Sequence, residues 1–263
     1  MARFTADDGI TIVADDHAPQ AGAVPVILHH GFAADARANW DAPGITQRLV
    51  ESGRRVVAID ARGHGRSDKP HDPRAYDSPA MARDVSTLID QLDVEEVDLV
   101  GYSMGGFVAV EVATRDSRLR SLVVGGIGEG ALPRSDDGGG REGPPIDRDA
   151  IAEAMEADDA STVTNPGAIG FRRLADATGA DRLALAAVLR SAPHASGDLS
   201  LIAVPTLVIA GDKDPLAKGA DRLADAIPGA RLLTVPGDHL GAVGSPELID
   251  GLLAFLDERD AGS

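Results

Sequence analysis

The sequence predicts an α/β fold in which a mostly parallel central sheet is covered by helices on both faces. Three observations carry that expectation. Apolar runs of strand length recur without the alternation of a half-exposed strand, as in "VPVILHH" at 24–30 and "EVDLVGY" at 96–102. Such strands are buried on both faces, as parallel strands are. Helix-like segments separate them, the rhythm of βαβ units. The third observation is a glycine-bracketed serine, "GYSMGG" at 101–106, set between an apolar strand-like run and an apolar helix-like segment.

The elements follow in order. Residues 24–30 read as a buried strand and 45–53 as a helix closed by Gly53, because glycine accepts the left-handed conformation that ends helices. Residues 54–60 form a second strand and 78–93 a helix, with Ser78 as N-cap and Pro79 in the first turn. Residues 96–102 form a third strand, 104–116 a helix and 119–126 a fourth strand. A connection rich in Gly, Pro and charge then runs over 127–149. Three short helical patterns follow at 149–158, 166–177 and 181–191. The strand rhythm resumes at 204–211, with a helix at 217–227, a strand at 230–237 and a last helix at 246–258. The simplest organisation is one α/β core, residues 1–127 and 200–263, carrying a helical insertion over 128–199.

Composition narrows the function classes. The 263 residues include 42 Asp+Glu against 25 Lys+Arg, a formal net charge of -17. That surface repels nucleic acid and anionic membranes. Cysteine is absent, which excludes disulfides and thiolate metal sites. No run reaches the length of a spanning helix. The N-terminal stretch "MARFTADDGITIVADD" lacks the apolar core of a secretory signal. The expected location is the cytoplasm, and the expected state a monomer or homodimer.

The bracketed serine has a physical reading. A chain that passes from strand to helix in almost no residues holds the residue at the bend in a strained conformation. Gly101 and Gly105 let the two arms of the turn approach, and Gly106 relieves crowding between helix and sheet. Ser103 then stands exposed at a helix N-terminus, where free N–H groups favour developing negative charge. The Met104 N–H is one candidate oxyanion donor. A serine hydroxyl needs a base. His239, in "TVPGDHLG" after the last strand, reaches the same sheet edge as Ser103. "AGDKDP" supplies two carboxylates, Asp212 and Asp214, at the preceding strand's end. Pro215 biases residue 214 toward an extended backbone. The second oxyanion donor is expected from "HHGF" at 29–32, through the Phe32 N–H. His30 and His64 read as structural histidines rather than ligands, and no metal site is expected.

"HHGF", "DARGHGRSDKP", "GYSMGG", "AGDKDP" and "GDHL" together resemble the α/β-hydrolase superfamily, in its serine-nucleophile branch with a small helical cap. The likeness spans roughly residues 9–258. It implies an α/β-hydrolase fold, with Ser103 as nucleophile, Asp214 as triad acid and His239 as base. It also implies Phe32 and Met104 as oxyanion donors, with no cofactor. The serine disfavours the dehalogenase and epoxide hydrolase branches, whose elbow carries aspartate. Cap residues Met155, Ile169, Phe171, Leu174, Leu185 and Leu189 either line the pocket or pack. Of these, Met155 and Phe171 are the expected substrate contacts.

The expected function is hydrolysis of a small-molecule carboxylic ester of a small or medium apolar acid through an acyl-enzyme. Enol-lactone or carbon–carbon bond hydrolysis, cofactor-free perhydrolysis and slow-turnover small-molecule reception use the same triad and stay open. The charge itself yields a measurable expectation. Self-repulsion at a net charge of -17 is screened by salt. The melting temperature should therefore rise as KCl increases from low ionic strength to about 1 M. No rise would mean that surface charge does not limit stability.

Overall fold

The computed structural model describes residues 2–17, 24–133, 146–191 and 197–261. Eight strands form one sheet in the order β1-β2-β4-β3-β5-β6-β7-β8. They are β1 (Ala2–Thr5), β2 (Thr11–His17), β3 (Val26–His29), β4 (Val56–Asp60), β5 (Val97–Tyr102), β6 (Leu119–Gly125), β7 (Thr206–Gly211) and β8 (Arg231–Val235). From β4 to β8 every neighbouring pair is parallel. β2 joins β4 antiparallel and β1 joins β2 antiparallel. The architecture is the expected α/β-hydrolase fold.

The six parallel strands match the apolar runs of the sequence, trimmed by one or two residues. β3, β4 and β5 are buried along their whole length, which explains why they read as continuous rather than alternating. The β1–β2 hairpin was not legible from periodicity. β1 is four residues of mixed character and mostly solvent-facing. The overlooked signal is Asp8-Gly9, a hairpin-turn pair, with Gly9 at φ 86°.

Helices cover both faces. On one face α2 (Ala80–Leu92), α3 (Met104–Ala113) and α7 (Ala220–Ala226) bury Val85, Leu88, Val108, Val112 and Leu223 against the sheet. On the other, α1 (Ile45–Glu51) and α8 (Pro246–Asp260) bury Ile45, Leu49, Leu248, Leu252 and Phe255. Between β6 and β7 the chain forms α4 (Arg148–Glu156), α5 (Pro166–Thr178) and α6 (Arg182–Arg190). These three close a cluster of their own around Ile151, Met155, Ala168, Ala175 and Leu185. Residues 134–145 of the expected connection and residues 192–196 lie outside the described residues.

Ser78 does not cap α2. Pro79 holds the cap position without a side-chain cap bond, and the Ser78 hydroxyl donates to the carboxylate of Glu111. Glu111 is buried, and a buried carboxylate left unpaired costs more than a helix N–H at the surface.

The β4–β3–β5 order matters for function. The chain moves from β3 to β4 on one side and then to β5 on the other, so the carboxyl ends of β3 and β5 flank a switch in direction. Open α/β sheets place their sites outside such a switch. Beside it, two histidines are buried as neutral rings. His30 donates from Nδ1 to the Gly31 carbonyl at 2.8 Å, and its Nε2 accepts from the Ala61 N–H at 3.0 Å. His64 donates from Nδ1 to the Arg62 carbonyl at 3.0 Å. Both play the structural part that the sequence indicated. Burial lowers the pKa of His30. Burial, and secondarily the neighbouring His30, pushes His64 down from the ordinary 6.5 to about 3.

A histidine depressed in the folded state stabilises the fold above its unfolded pKa. That stability declines as pH falls from about 6.5 toward about 3, because the unfolded chain binds the extra proton. Urea unfolding at pH 7 and pH 5 should show the parent less stable at pH 5. His64→Gln should lose about 2 kcal/mol less than the parent over that interval. Equal pH dependence in the two proteins would contradict the buried neutral ring.

Candidate active site

β5 ends at Tyr102 and α3 starts at Met104, so Ser103 alone makes the turn. It takes φ 54° and ψ -115°, a conformation that a residue with Cβ holds only when its surroundings impose it. The surroundings are backbone. A Cβ on Gly101 would lie 2.1 Å from the Gly105 carbonyl oxygen, and a Cβ on Gly105 would lie 2.1 Å from that of His29. The arms of the turn do close on each other, and the helix also closes on β3. At Gly106 an added Cβ would meet Ile127 at 3.1 Å. The Ser103 N–H donates to the Gly125 carbonyl at 2.8 Å, tying the bend to β6.

Ser103, His239 and Asp214 come together. Ser103 Oγ lies 2.9 Å from His239 Nε2, and His239 Nδ1 lies 2.8 Å from Asp214 Oδ2. The carboxylate accepts at Nδ1, so the neutral ring keeps its proton there and turns an unprotonated Nε2 to the serine hydroxyl. The Asp214 side chain is fully buried and that of His239 is 14% exposed. Asp214 Oδ1 accepts from the Leu216 N–H at 2.8 Å, which fixes the carboxylate plane. Asp212 plays a different part, since its Oδ1 accepts from the Gly237 N–H at 2.8 Å. That bond joins the loops after β7 and β8, the two loops that carry Asp214 and His239.

Phe32 and Met104 sit on opposite sides of Ser103 in the chain. Gly31 brings the first loop in, since a Cβ there would come within 3.2 Å of Ser103 Cβ. Among the described residues, no acceptor within the protein meets either the Phe32 or the Met104 N–H. Phe171 on α5 sets its ring edge-to-face on Phe32, centroids 5.6 Å apart. Met155 differs from expectation. It presents no exposed surface and is packed within the α4–α6 cluster, so it is a packing residue rather than a pocket wall.

Three residues bonded to the site's loops escaped the sequence reading. Tyr102 donates its hydroxyl to the His239 carbonyl at 2.6 Å, and its ring lies 5.4 Å from the imidazole. Burial raises the Tyr102 pKa, which keeps the donor protonated. Asn39 Oδ1 accepts from the Gly31 N–H at 3.0 Å. The Thr178 hydroxyl lies 2.9 Å from the Ala33 carbonyl. Tyr102 adjoins the serine and had a local signal, whereas Asn39 and Thr178 had none.

Among the described residues no group of three or more His, Cys, Asp or Glu side chains is placed to hold a metal ion. No described helix is long and apolar enough to cross a membrane.

The chain belongs to the alpha/beta hydrolase fold family, whose profile matches residues 24–165. It is 29% identical to a non-heme chloroperoxidase of Streptomyces lividans over 97% of this chain and 99% of the relative. In structure it resembles an esterase from Exiguobacterium antarcticum, at TM-score 0.78 and 25% identity, covering 97% of this chain and 98% of that one. It also resembles a hydrolase from Pseudomonas aeruginosa, at TM-score 0.77 and 27% identity over 97% of each chain.

The tight elbow has a direct test. Gly105→Ala should destabilise the protein by at least about 3 kcal/mol, because the clash is with backbone that cannot step aside. Gly170→Ala, on the exposed side of α5 with nothing within 4 Å of an added Cβ, should gain about 0.5–1 kcal/mol. Equal effects in thermal unfolding would remove the close approach as the reason for glycine at 105.

Proposed function

We infer that the protein is a cofactor-free serine hydrolase acting on a carboxylic ester of a small or medium apolar acid. The observation that carries this reading is the relay from Ser103 Oγ through His239 to Asp214, at 2.9 and 2.8 Å. Ser103 Oγ attacks the ester carbonyl carbon while its proton passes to His239 Nε2. Asp214 holds the ring and stabilises the imidazolium without taking the proton. The carbonyl oxygen, now an oxyanion, accepts from the Phe32 and Met104 N–H groups. The intermediate collapses as His239 returns the proton to the leaving alcohol, which leaves the acyl group on Ser103. Water then attacks the acyl carbonyl, with His239 as base, and the acid departs.

On this reading the insertion helices act as a cap over the site, supported by the edge-to-face contact of Phe171 with Phe32. The partner is a small-molecule ester rather than nucleic acid or membrane, in keeping with the charge of -17. On this reading the enzyme acts in the cytoplasm as a monomer or homodimer. A second reading draws support from the non-heme chloroperoxidase relative. Hydrogen peroxide, taking the place of water in the second step, would release a peracid from the same acyl-enzyme.

Ser103→Ala should lose nearly all hydrolysis of p-nitrophenyl esters while melting near the parent temperature. A fluorophosphonate should label the parent at Ser103 alone. Asp214→Asn keeps the shape but favours the wrong tautomer, so kcat should fall by about 10³–10⁴. Asp212→Asn should cost less than about tenfold. Full activity in the Ser103 variant, or labelling elsewhere, would overturn the assignment.

A further inference from the structure

The loop that carries the Phe32 N–H is held from an unexpected side. Ala33 has φ 61°, and a residue with Cβ stays left-handed only where its surroundings over-determine it. Ala33 is fully buried, yet it belongs to neither core against the sheet. Its methyl sits in the cluster that α4, α5 and α6 build around Ile151, Met155 and Leu185. One residue of the loop after β3 is thus part of the insertion's own core. The Phe32–Phe171 ring contact adds a second link to α5.

The polar link is Thr178, the last residue of α5. Its hydroxyl has one proton and three carbonyl oxygens in reach: Ala33 at 2.9 Å, Leu174 at 3.0 Å and Ala175 at 3.2 Å. The Ala175 carbonyl already takes the Ala180 N–H at 2.9 Å. Leu174 stands four residues back, where the helix ladder supplies the Thr178 N–H. The Ala33 carbonyl has no other donor among the described residues. A buried acceptor without a donor is costly, so the proton belongs on Ala33.

We propose that Thr178 is a positioning residue for the oxyanion loop, through which the insertion sets the aim of the Phe32 N–H. This rests on the serine-hydrolase reading above. The Gly31 N–H is anchored by Asn39 at 3.0 Å from within the α/β core, and the Ala33 carbonyl is anchored by Thr178 from α5. The Phe32 N–H belongs to the 31–32 peptide between these two anchors, and the carbonyl of that peptide accepts from His30 Nδ1 at 2.8 Å, so Thr178 adds the insertion's hold to those of the core. An oxyanion donor works when it is aimed at the position where charge develops. A small rotation of the 31–32 peptide weakens the transition state more than substrate binding, so it lowers kcat and leaves KM nearly unchanged.

The test compares the parent chain with Thr178→Val, Thr178→Ala and Thr178→Ser. The readouts are p-nitrophenyl acetate kinetics, melting temperature and the Kd of phenylboronate, whose tetrahedral serine adduct uses the same donors. Thr178→Val keeps the β-branched shape and loses the hydroxyl. Its kcat should fall about tenfold, less than the 10²–10³ lost when a donor is deleted, with KM changed by less than about twofold. Phenylboronate should bind about tenfold more weakly to the Val variant. Thr178→Ser should restore both to within about threefold of the parent. If the Val variant fails to fold, Thr178→Ala against Thr178→Ser makes the same comparison. A lowered melting temperature with kcat and phenylboronate affinity intact marks a packing role and overturns the proposal, as does failure of Thr178→Ser to rescue. A parent that neither hydrolyses the ester nor takes a fluorophosphonate removes the hydrolase reading and this proposal together. An active, labelled parent beside unaffected variants removes this proposal alone.

Discussion

The close approach of the first turn of α3 to β3 and β5 is the constraint from which the site follows. Where Gly105 faces the His29 carbonyl and Gly101 faces the Gly105 carbonyl, any side chain would stand about 2.1 Å from backbone oxygen. With nothing between them, the chain turns from strand to helix in one residue, and Ser103 is driven to φ 54°. The same approach brings the loop after β3 beside Ser103. Ser103 and the first N–H of α3 thereby adjoin the loop that carries Phe32. The strain at Ser103 is offset by packing on both sides, since β5 is wholly buried and α3 buries eight of its ten residues.

The other half of the site is assembled by two loops locked to each other and to the elbow. Two carboxylates two residues apart do different work. Asp212 accepts from Gly237 and joins the loops after β7 and β8, whereas Asp214 turns inward and orients His239. Tyr102 then reaches from the end of β5 to the His239 carbonyl. The residue before Ser103 therefore holds the backbone of His239. A histidine on a surface loop gains a fixed position in this way without being fully buried.

The histidines show how environment sorts one residue type into separate roles. His30 and His64 are enclosed, and desolvation keeps them neutral as hydrogen-bonding parts of the fold. His71 is half exposed and reaches Asp181 at the start of α6, at 3.1 Å. His239 is part-buried between a fully buried carboxylate and a serine hydroxyl. That last arrangement lets an imidazole accept a proton and give it back.

Much of this was written locally in the chain. The parallel strands were legible because strands buried on both faces leave unbroken apolar runs. The elbow was legible because only glycine tolerates backbone at contact distance. The order of serine, aspartate and histidine after the strands now seen as β5, β7 and β8 placed all three on one sheet edge. What the chain could not disclose locally depended on partners far away in sequence. Ser78 looks like a helix cap until a buried Glu111 claims its hydroxyl. Met155 looks like a pocket residue until α5 and α6 enclose it. Asn39, Tyr102 and Thr178 act through hydrogen bonds across 8, 137 and 145 residues of chain. The sequence by itself determined the fold class and the three residues of the relay, because periodicity, glycine and strand ends are local properties. Only the tertiary structure decided how those residues are held, because a buried polar group takes its partner from whatever packing brings within about 3 Å.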